Sequence, residues 1–316
     1  MVRGPTIVAP VVTADRSDQQ AKIHLHRQKR TAFTARHGWL LGLLLILVAT
    51  VALSSLRIPA GAAAGTVFNR SVEEANTASA STAAREGQVA WPIFRVGIFN
   101  IHGGRGRDNN RDLARTAHCL RKLDIIGLNE VLGPKLWWQT DQAQQLGELL
   151  KLSWLYAPTE SRWWDGSFGN GLLSTLPVRS WQRIPLPRGG AHTYRNIVLS
   201  TVEVSGQTVQ ILLTHLDSRD SVRRQEQLRT VGDLFLALRE PAILMGDLNT
   251  PPDDLQLATL LAAPGVIDAI AASAPEVPAH RIDWILARGL QSVTAGCDAS
   301  GASDHPLFWA ELQIVD

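Results

Sequence analysis

The feature that most constrains this chain is an uncharged apolar run near its N-terminus. Between Arg36 and Arg57 there is no Lys, Arg, Asp or Glu, and the run includes WLLGLLLILVATVALSSL. About twenty such residues are enough to cross the hydrocarbon core of a bilayer as a helix. The run also lacks the polar face that a core helix shows at a 3.6-residue period. The sequence therefore predicts one transmembrane helix over residues 37–57.

The charges beside this run predict its orientation. Four cations stand shortly before it (Arg27, Lys29, Arg30 and Arg36) and only Arg57 stands just after it. By the positive-inside rule the N-terminus then stays in the cytoplasm. We expect a single-pass protein of the cell membrane whose later residues are extracytoplasmic. A cleaved signal peptide is the alternative, because the segment AGAAAG at Ala60 to Gly65 offers small residues suited to cleavage.

The rest of the chain divides by composition. The residues before Ala21 lack periodic apolar positions, and residues 1–36 are expected to be a disordered, basic cytoplasmic arm. Residues 58–90 are rich in Ala, Ser, Thr and Gly, and such a segment buries too little apolar surface to offset the entropy of ordering. We therefore predict a flexible linker over 58–90 and a folded domain over 91–316.

Charge and cysteine content limit the functions open to the folded domain. From Trp91 onward about 21 Lys and Arg stand against about 24 Asp and Glu, a net charge near −3. Nucleic-acid binding relies on neutralising phosphates, so nucleic acid is a conceivable substrate but not the favoured one. Cys119 and Cys297 are too far apart in sequence for a zinc motif. They are either a disulfide pair or two isolated buried thiols.

The pattern of the folded domain is that of an α/β (α+β) protein. Short apolar or alternating runs are interleaved with helical patterns, as in FRVGIFN, DIIGLNEV, AILMGDLN and the helix-like RDLARTAHCLRKL. Two neighbouring runs meet at Ser205-Gly206 and predict an antiparallel hairpin. Many strands with few βαβ repeats favour two packed sheets with helices outside.

Polar residues recur at the ends of the predicted strands. Alone, each is accounted for by turn capping or by a satisfied core position. Their number suggests that the fold gathers them into one cleft: Asn100, Glu130, His215, Asp217, Asp247, Asn249, Asp283, Asp304 and His305.

With their local contexts, these residues resemble the endonuclease/exonuclease/phosphatase superfamily. The resemblance covers Phe94 to Ile314 and rests on FNIHGG, DIIGLNEV, GNGLLSTLPV, THLDSR, GDLNTPP, RIDWIL and SDHPLFWAEL. It is closest to the bacterial membrane-anchored metal-dependent hydrolases of that superfamily. The resemblance implies a four-layer α/β/β/α sandwich of two mixed sheets, preceded here by the transmembrane helix. Asn129 stands where many relatives place Gln.

The resemblance also implies a division of roles. A hard cation, Mg²⁺ or Mn²⁺, prefers oxygen ligands. The resemblance implies that Glu130, Asn100 and Asp304 hold this cation. Asp283 would orient His305 as the base, His215 would donate to a phosphoryl or leaving-group oxygen, and Asp247 and Asn249 would position water, phosphate or metal. Four further residues are candidates to line the cleft: His102, Asn170, Arg195 and Asp217.

These expectations lead to one favoured function. We expect a divalent-metal-dependent phosphoesterase that cleaves a phosphodiester or phosphomonoester, a lipid headgroup or another small phosphoester, outside the cytoplasm. A membrane-tethered extracellular nuclease and an inactive binding domain are the alternatives. The sequence indicates no protein partner. Two tryptophan pairs, Trp137-Trp138 and Trp163-Trp164, either form an apolar rim for a lipid surface or pack under the outer helices.

Overall fold

The computed structural model describes residues 24, 26, 39–53, 57–65, 67, 92–135, 139–162, 167–187 and 194–315. It separates into two units, Met1–Ser55 and Leu56–Asp316. In the first unit, residues 39–53 are helical. None of the helices in the described ranges is both long and apolar enough to cross a membrane. Apart from residues 24 and 26, the predicted cytoplasmic arm lies outside the described residues, as does most of the predicted linker.

The second unit contains fourteen strands and four α-helices among its described residues. The helices are α1 (Leu113–Leu120), α2 (Gln142–Leu150), α3 (Ser221–Ala237) and α4 (Leu255–Leu261). The first seven strands are β1 (Arg57–Pro59), β2 (Ala63–Gly65), β3 (Phe94–Asn100), β4 (Ile125–Leu132), β5 (Ser153–Arg162), β6 (Phe168–Ser174) and β7 (Val178–Pro185). The other seven are β8 (Asn196–Val204), β9 (Gln207–His215), β10 (Ala242–Asp247), β11 (Ile267–Asp268), β12 (Asp283–Arg288), β13 (Leu290–Asp298) and β14 (Leu307–Ile314).

These strands form two seven-stranded mixed sheets. Sheet A has the order β1-β5-β6-β4-β3-β14-β13, and sheet B has the order β11-β12-β10-β9-β8-β7-β2. Each sheet has one parallel pair at its centre, β3 with β4 in sheet A and β9 with β10 in sheet B. Parallel neighbours place their carboxyl ends at the same sheet edge, and this sets the position of the site.

Three apolar clusters define four layers. The central cluster joins the two sheets through β-branched and aliphatic side chains such as Val96, Ile98, Ile211 and Ile243. A second cluster packs α1 and α2 against the outer face of sheet A, and a third packs α3 and α4 against the outer face of sheet B. The predicted two-sheet sandwich with outer helices is therefore confirmed.

Local sequence signals explain where these elements begin. In the second unit an aspartate precedes each α-helix, and its carboxylate accepts backbone N–H groups of the first turn, which satisfies donors that have no partner within the helix: Asp112, Asp141, Asp220 and Asp254. The predicted hairpin is β8–β9. Its turn residues, Ser205 and Gly206, have φ values of 49° and 83°, as a tight two-residue turn requires.

The predicted flexible linker is wrong in its first part. Residues 57–65, which we call the N-terminal strap, contain β1 and β2. β1 pairs antiparallel with β5 at one edge of sheet A, and β2 pairs antiparallel with β7 at one edge of sheet B. Composition did not reveal this, because the pairing depends on backbone hydrogen bonds to sheet edges and needs no large apolar side chain.

Candidate active site

Strand register brings most of the predicted site residues to one end of the sandwich. In sheet B, Asp247 ends β10, directly beside His215 on β9 and Asp283 on β12. In sheet A, Asn100 ends β3 opposite Asn129 on β4. The two sheets meet here, because the Nδ2 atom of Asn100 donates a 3.0 Å hydrogen bond to Oδ2 of Asp247.

Asp247 is the centre of this polar cluster. Its Oδ2 atom lies 3.4 Å from Nε2 of His215 and 3.8 Å from Nε2 of His305. Its Oδ1 atom accepts the backbone N–H of Asn249 at 2.9 Å. Burial, followed by the charge of Asp283, raises the pKa of Asp247 to about 6. A carboxylate between two imidazoles with such a pKa can exchange a proton near neutral pH.

Asp283 and His305 form a hydrogen-bonded pair. Nδ1 of His305 lies 2.7 Å from Oδ2 of the buried Asp283, which leaves Nε2 directed toward Asp247. Burial opposes protonation of His305. The hydrogen bond and charge of Asp283, together with the charge of Asp247, outweigh that effect and raise the pKa of His305 to about 9. His305 therefore holds the proton of this pair at neutral pH.

His215 differs from His305 in both burial and charge. Its side chain is only 3% exposed. Burial is the main cause that lowers its pKa well below 6.5, and the positive charge of Arg195 acts in the same direction. The two histidines thus face one carboxylate in different protonation states, one neutral and one charged.

Glu130 is presented to solvent by irregular backbone. The pairing of β4 with β6 is interrupted between Leu128 and Val131, and Glu130 has a φ of 57°. A positive φ is costly for a residue with a long side chain, and a bulge of this kind redirects side chains at functional sites. The Glu130 side chain is partly exposed and bonds to no other described residue.

Asn100 and Asp304 are joined through Ser303. The Oγ atom of Ser303 donates to the backbone oxygen of Asn100 at 2.7 Å and lies 3.0 Å from Oδ1 of Asp304. His102 follows Asn100 on the same loop, and its backbone N–H donates to Oδ1 of Asn100. The Nδ1 atom of His102 is 3.5 Å from Oδ1 of Asp304 without forming a hydrogen bond.

An important residue that was not among the predicted site residues is Asn129. It is fully buried, its Oδ1 accepts the backbone N–H of Asp247 at 2.8 Å, and its Nδ2 donates to the backbone oxygen of Thr214 at 3.0 Å. Nδ2 also donates to Oδ1 of Asn170 at 2.8 Å, and Asn170 in turn donates to Asn196. This chain of amides links the two sheets directly under the site. The sequence signal was its place before Glu130 at a strand end.

Arg195 and Asp217 lie at the β8 and β9 side of the site. The guanidinium of Arg195 is mostly enclosed, and its Nε has no hydrogen-bond partner among the described residues. Burial lowers the pKa of Arg195, and the carboxylates of Asp247, Asp217 and Glu130 oppose this. Asp217 is fully buried, and its Oδ1 accepts the backbone N–H groups of Arg219 and Asp220, so it shapes the loop after β9.

Asn249 likewise shapes a loop. It has a φ of 48°, and its Nδ2 donates to the backbone oxygen of Leu216. The two tryptophan pairs lie outside the described residues, so the predicted apolar rim stays a prediction. Cys119 and Cys297 are free thiols, one half-buried and the other exposed. The expectations of a disulfide and of two buried thiols are therefore both wrong.

The fold and the site together define a class of protein. A sandwich of two mixed sheets between helices gathers paired histidines and carboxylates at one end, an arrangement suited to acid–base chemistry on a phosphoester. The chain belongs to the Endonuclease/Exonuclease/phosphatase family, whose model matches residues 97–305. The suspected resemblance is thereby confirmed at the level of the family. A comparison with curated proteins gives no match.

Solved structures agree with this assignment. An endonuclease/exonuclease/phosphatase from Beutenbergia cavernae DSM 12333 is 26% identical over 70% of this chain and 72% of that chain, with a TM-score of 0.59. The human nocturnin catalytic domain with bound sulfate anion is 20% identical over 71% and 94%, with a TM-score of 0.56. D. rerio TDP2 complexed with a single strand DNA product is 20% identical over 70% and 99%, with a TM-score of 0.53. The last two similarities show the fold alone.

Proposed function

We propose that this protein is a membrane-anchored, divalent-metal-dependent phosphoesterase that hydrolyses a lipid headgroup or another small phosphoester outside the cytoplasm. The observation that carries the chemistry is the cluster around Asp247. A buried carboxylate with a pKa of about 6 stands between a neutral and a charged imidazole, next to a partly exposed glutamate. Phosphoester hydrolysis can use such groups to accept a proton, to donate hydrogen bonds, to stabilise negative charge and to hold a metal.

The residues present fit a Mg²⁺ or Mn²⁺ ion. One possible donor set consists of Asp247, Asp283 and His305, whose potential ligand atoms lie within 4.8 Å of one another, and the resemblance implies another. We favour the other set, Glu130 with Asn100 and Asp304. The Asp283–His305 pair is occupied by its own 2.7 Å hydrogen bond, whereas the Glu130 carboxylate bonds to no described residue. Oxygen donors of this kind suit a hard cation, which supplies charge neutralisation at the phosphoryl oxygens when bound.

The protonation states favour a division of roles that differs from the one the resemblance implies. His305 with a pKa of about 9 is positively charged at neutral pH, so it suits binding a phosphoryl oxygen better than accepting a proton. Asp247, with a pKa of about 6, is largely ionised at neutral pH and can take the proton of an attacking water. Neutral His215 can donate one N–H to the leaving-group oxygen. Asp283 holds the His305 ring in position.

Arg195 supplies a second positive group for the phosphate. It directly precedes β8, and although burial lowers its pKa, the charges of nearby carboxylates raise the pKa and favour the charged form. Its Nε lacks a partner among the described residues. A planar guanidinium in a largely desolvated position is suited to binding two phosphate oxygens at once. We therefore assign Arg195 to phosphate binding.

The membrane location rests on the N-terminal sequence and on the N-terminal strap. The apolar run with its preceding cations supports a single helix with a cytoplasmic N-terminus. The segment Ala60 to Gly65, which could serve as a cleavage site, is built into the folded unit through β2. Signal cleavage there would separate β1 from β2. The pairing thus supports an uncleaved anchor.

The experiment that tests this proposal is a substrate survey with the purified full-length protein. Phospholipid vesicles, inositol phosphates, nucleotides and DNA are each incubated with Mg²⁺, with Mn²⁺ and with a chelator. We expect metal-dependent release of phosphate or of a phosphorylated headgroup from a lipid or a small phosphoester. Metal-dependent cleavage of DNA alone would assign the nuclease alternative, and no hydrolysis in any arm would contradict the proposal.

A further inference from the structure

We propose that the N-terminal strap is a positioning element of the active site, which holds the Tyr194–Arg195 segment at the cleft. The inference rests on the proposed function only through the role of Arg195 in phosphate binding. The strap itself lies outside the region that matches the family model, which begins at residue 97. The match to the family model therefore assigns the strap no role.

The strap joins the two sheets at their free edges. Ile58 pairs with Ser161 of β5 in sheet A, and Ala64 pairs with Gln182 of β7 in sheet B. Between the two strands, the N–H of Ala60 donates to the Thr159 oxygen at 3.0 Å. Nine consecutive residues thus cover one edge of each sheet, which protects both edges and ties the sheets together.

Small residues allow the strap to lie this close. A Cβ atom on Gly65 would stand 3.1 Å from Nε1 of Trp181, tighter than an ordinary contact. The oxygen of Gly61 accepts a 2.7 Å hydrogen bond from Nε of Arg183. The absence of a side chain is therefore a condition for close packing at Gly65, whereas a Cβ atom added at Gly61 would meet nothing within 4 Å.

The strap also reaches the segment that carries Arg195. The hydroxyl of Tyr194 donates to the oxygen of Arg57 at 3.4 Å. Pro59, Ala60 and Gly61 face Tyr194 and Arg195 across a cavity of about 70 Å³. Thr159, Pro185 and Leu186 complete the lining of this cavity. The N–H of Leu186 donates to the Arg195 oxygen at 2.9 Å, so Leu186, which follows β7, holds the Arg195 backbone from one side and the strap holds Tyr194 from the other.

An electrostatic contact connects the same elements. Nη1 of Arg57 lies 4.0 Å from Oε2 of Glu160, a buried carboxylate at the end of β5. Glu160 is among the carboxylates whose charge acts on Arg195. Arg57 and Arg195 therefore share Glu160 as a counter-charge, and the position of the strap affects the field at the phosphate-binding guanidinium.

The first experiment tests docking of the strap by cross-linking. In full-length protein with both native cysteines replaced by Ser, Ala64→Cys is combined with Gln182→Cys, because these residues are direct cross-strand partners. We expect an intramolecular disulfide under mild oxidation. Ala62→Cys with Gln182→Cys is the matched control and should cross-link poorly. Equal cross-linking of both pairs, or of neither, would overturn the docked strap.

The second experiment tests positioning with Ala60→Pro, which removes the N–H that bonds to Thr159. We expect faster hydrogen–deuterium exchange in a peptide containing Tyr194 and Arg195. Inorganic phosphate should also bind about three- to tenfold more weakly, as expected when one anchoring hydrogen bond is lost. KM should rise by the same factor with kcat and the pH profile unchanged. Adding the disulfide of the Ala64→Cys, Gln182→Cys pair should restore the wild-type values.

The outcomes separate this inference from the proposed function. Unchanged exchange at Tyr194 and Arg195 in Ala60→Pro would overturn the positioning role whatever the enzyme hydrolyses. If Ala60→Pro lowers the melting temperature but leaves hydrogen–deuterium exchange at Tyr194 and Arg195 and the phosphate affinity unchanged, the strap has only a structural role. That result would overturn the proposal as well. If the wild-type protein hydrolyses no phosphoester but exchange still changes as expected, the proposed function fails and the strap inference stands.

Discussion

Replacing Asn129 by Ala should both destabilise the domain and slow the reaction. The substitution removes three buried hydrogen bonds of 2.8 to 3.0 Å, to the backbone N–H of Asp247, the Asn170 side chain and the Thr214 oxygen. Each is worth about 1 kcal/mol net, and partners left unpaired add to the cost, so a loss of about 3–5 kcal/mol is expected. For a domain of this size that lowers the melting temperature by roughly 10 °C.

The effect on the rate follows from Asp247. Without the Asn129 acceptor, the backbone N–H of Asp247 loses the contact that fixes the end of β10. A displacement of about 1 Å at a reacting group costs up to about 10²-fold in rate. Thermal melts and kcat are measured for Asn129→Ala, with Gln182→Ala, an exposed amide on β7, as the control. A melting temperature within about 2 °C of the wild type, or full turnover in a destabilised variant, would refute this reasoning.

Three further predictions concern the histidines and the topology. In the presence of a chelator, the free energy of unfolding of the wild type should fall between pH 6.5 and about 9 relative to that of His305→Ala. The reason is that folded His305 keeps a proton that the unfolded chain releases near pH 6.5. If urea titrations give the two proteins the same pH dependence across this range, the raised pKa of His305 is excluded. His215→Ala should slow hydrolysis of an alkyl ester strongly and of a nitrophenyl ester less, since only the alkoxide leaving group develops enough negative charge to need a donated hydrogen bond. Equal losses on both esters, with chemistry rate-limiting, would remove that role from His215. A reporter fused after Ser71 should be exported and membrane-retained, and a cytoplasmic or freely secreted reporter would contradict the anchor.

Much of the fold was predictable from local pattern. FRVGIFN, DIIGLNEV and AILMGDLN are β3, β4 and β10, and each is buried along nearly its whole length, as continuous apolar runs predict. The hairpin followed from Ser205-Gly206, which supplies the positive φ values that its turn requires. The order of strands within each sheet was not predictable, because it depends on contacts between residues distant in the chain.

The sequence predicted which residues form the site better than it predicted their protonation states. The prediction placed Asp247, Asp283 and His305 at the C-terminal ends of strands, and the structure brings these three together. Only Asp247 ends a strand, because Asp283 begins β12 and His305 precedes β14. Their protonation states depend on burial and on the distances between them, and the sequence contains neither. In the structure these two properties make His305 the positively charged residue of the three at neutral pH. Asn129 was overlooked because a buried amide that bonds backbone groups has no pattern that distinguishes it from a turn residue.

The strap was mispredicted for a related reason. Low apolar content is a sound indication of disorder when a segment must build its own core. β1 and β2 add to sheets that already exist, and backbone hydrogen bonds with small side chains suffice for that. The segment from Ala60 to Gly65 therefore has the composition of a linker, yet it contains β2 and the connection that joins β2 to β1.

The central claim is that Glu130 holds a divalent metal on which turnover depends, and metal titration of Glu130→Gln tests it most directly. With the best substrate from the survey, chelator should abolish wild-type turnover and Mg²⁺ or Mn²⁺ should restore it. Glu130→Gln should need at least about tenfold more metal, because the ligand has lost its charge, and should melt at the wild-type temperature. Glu148→Gln, an exposed glutamate on α2, should titrate like the wild type. Full turnover in chelator, or a Glu130→Gln titration that coincides with that of the wild type, would contradict the claim.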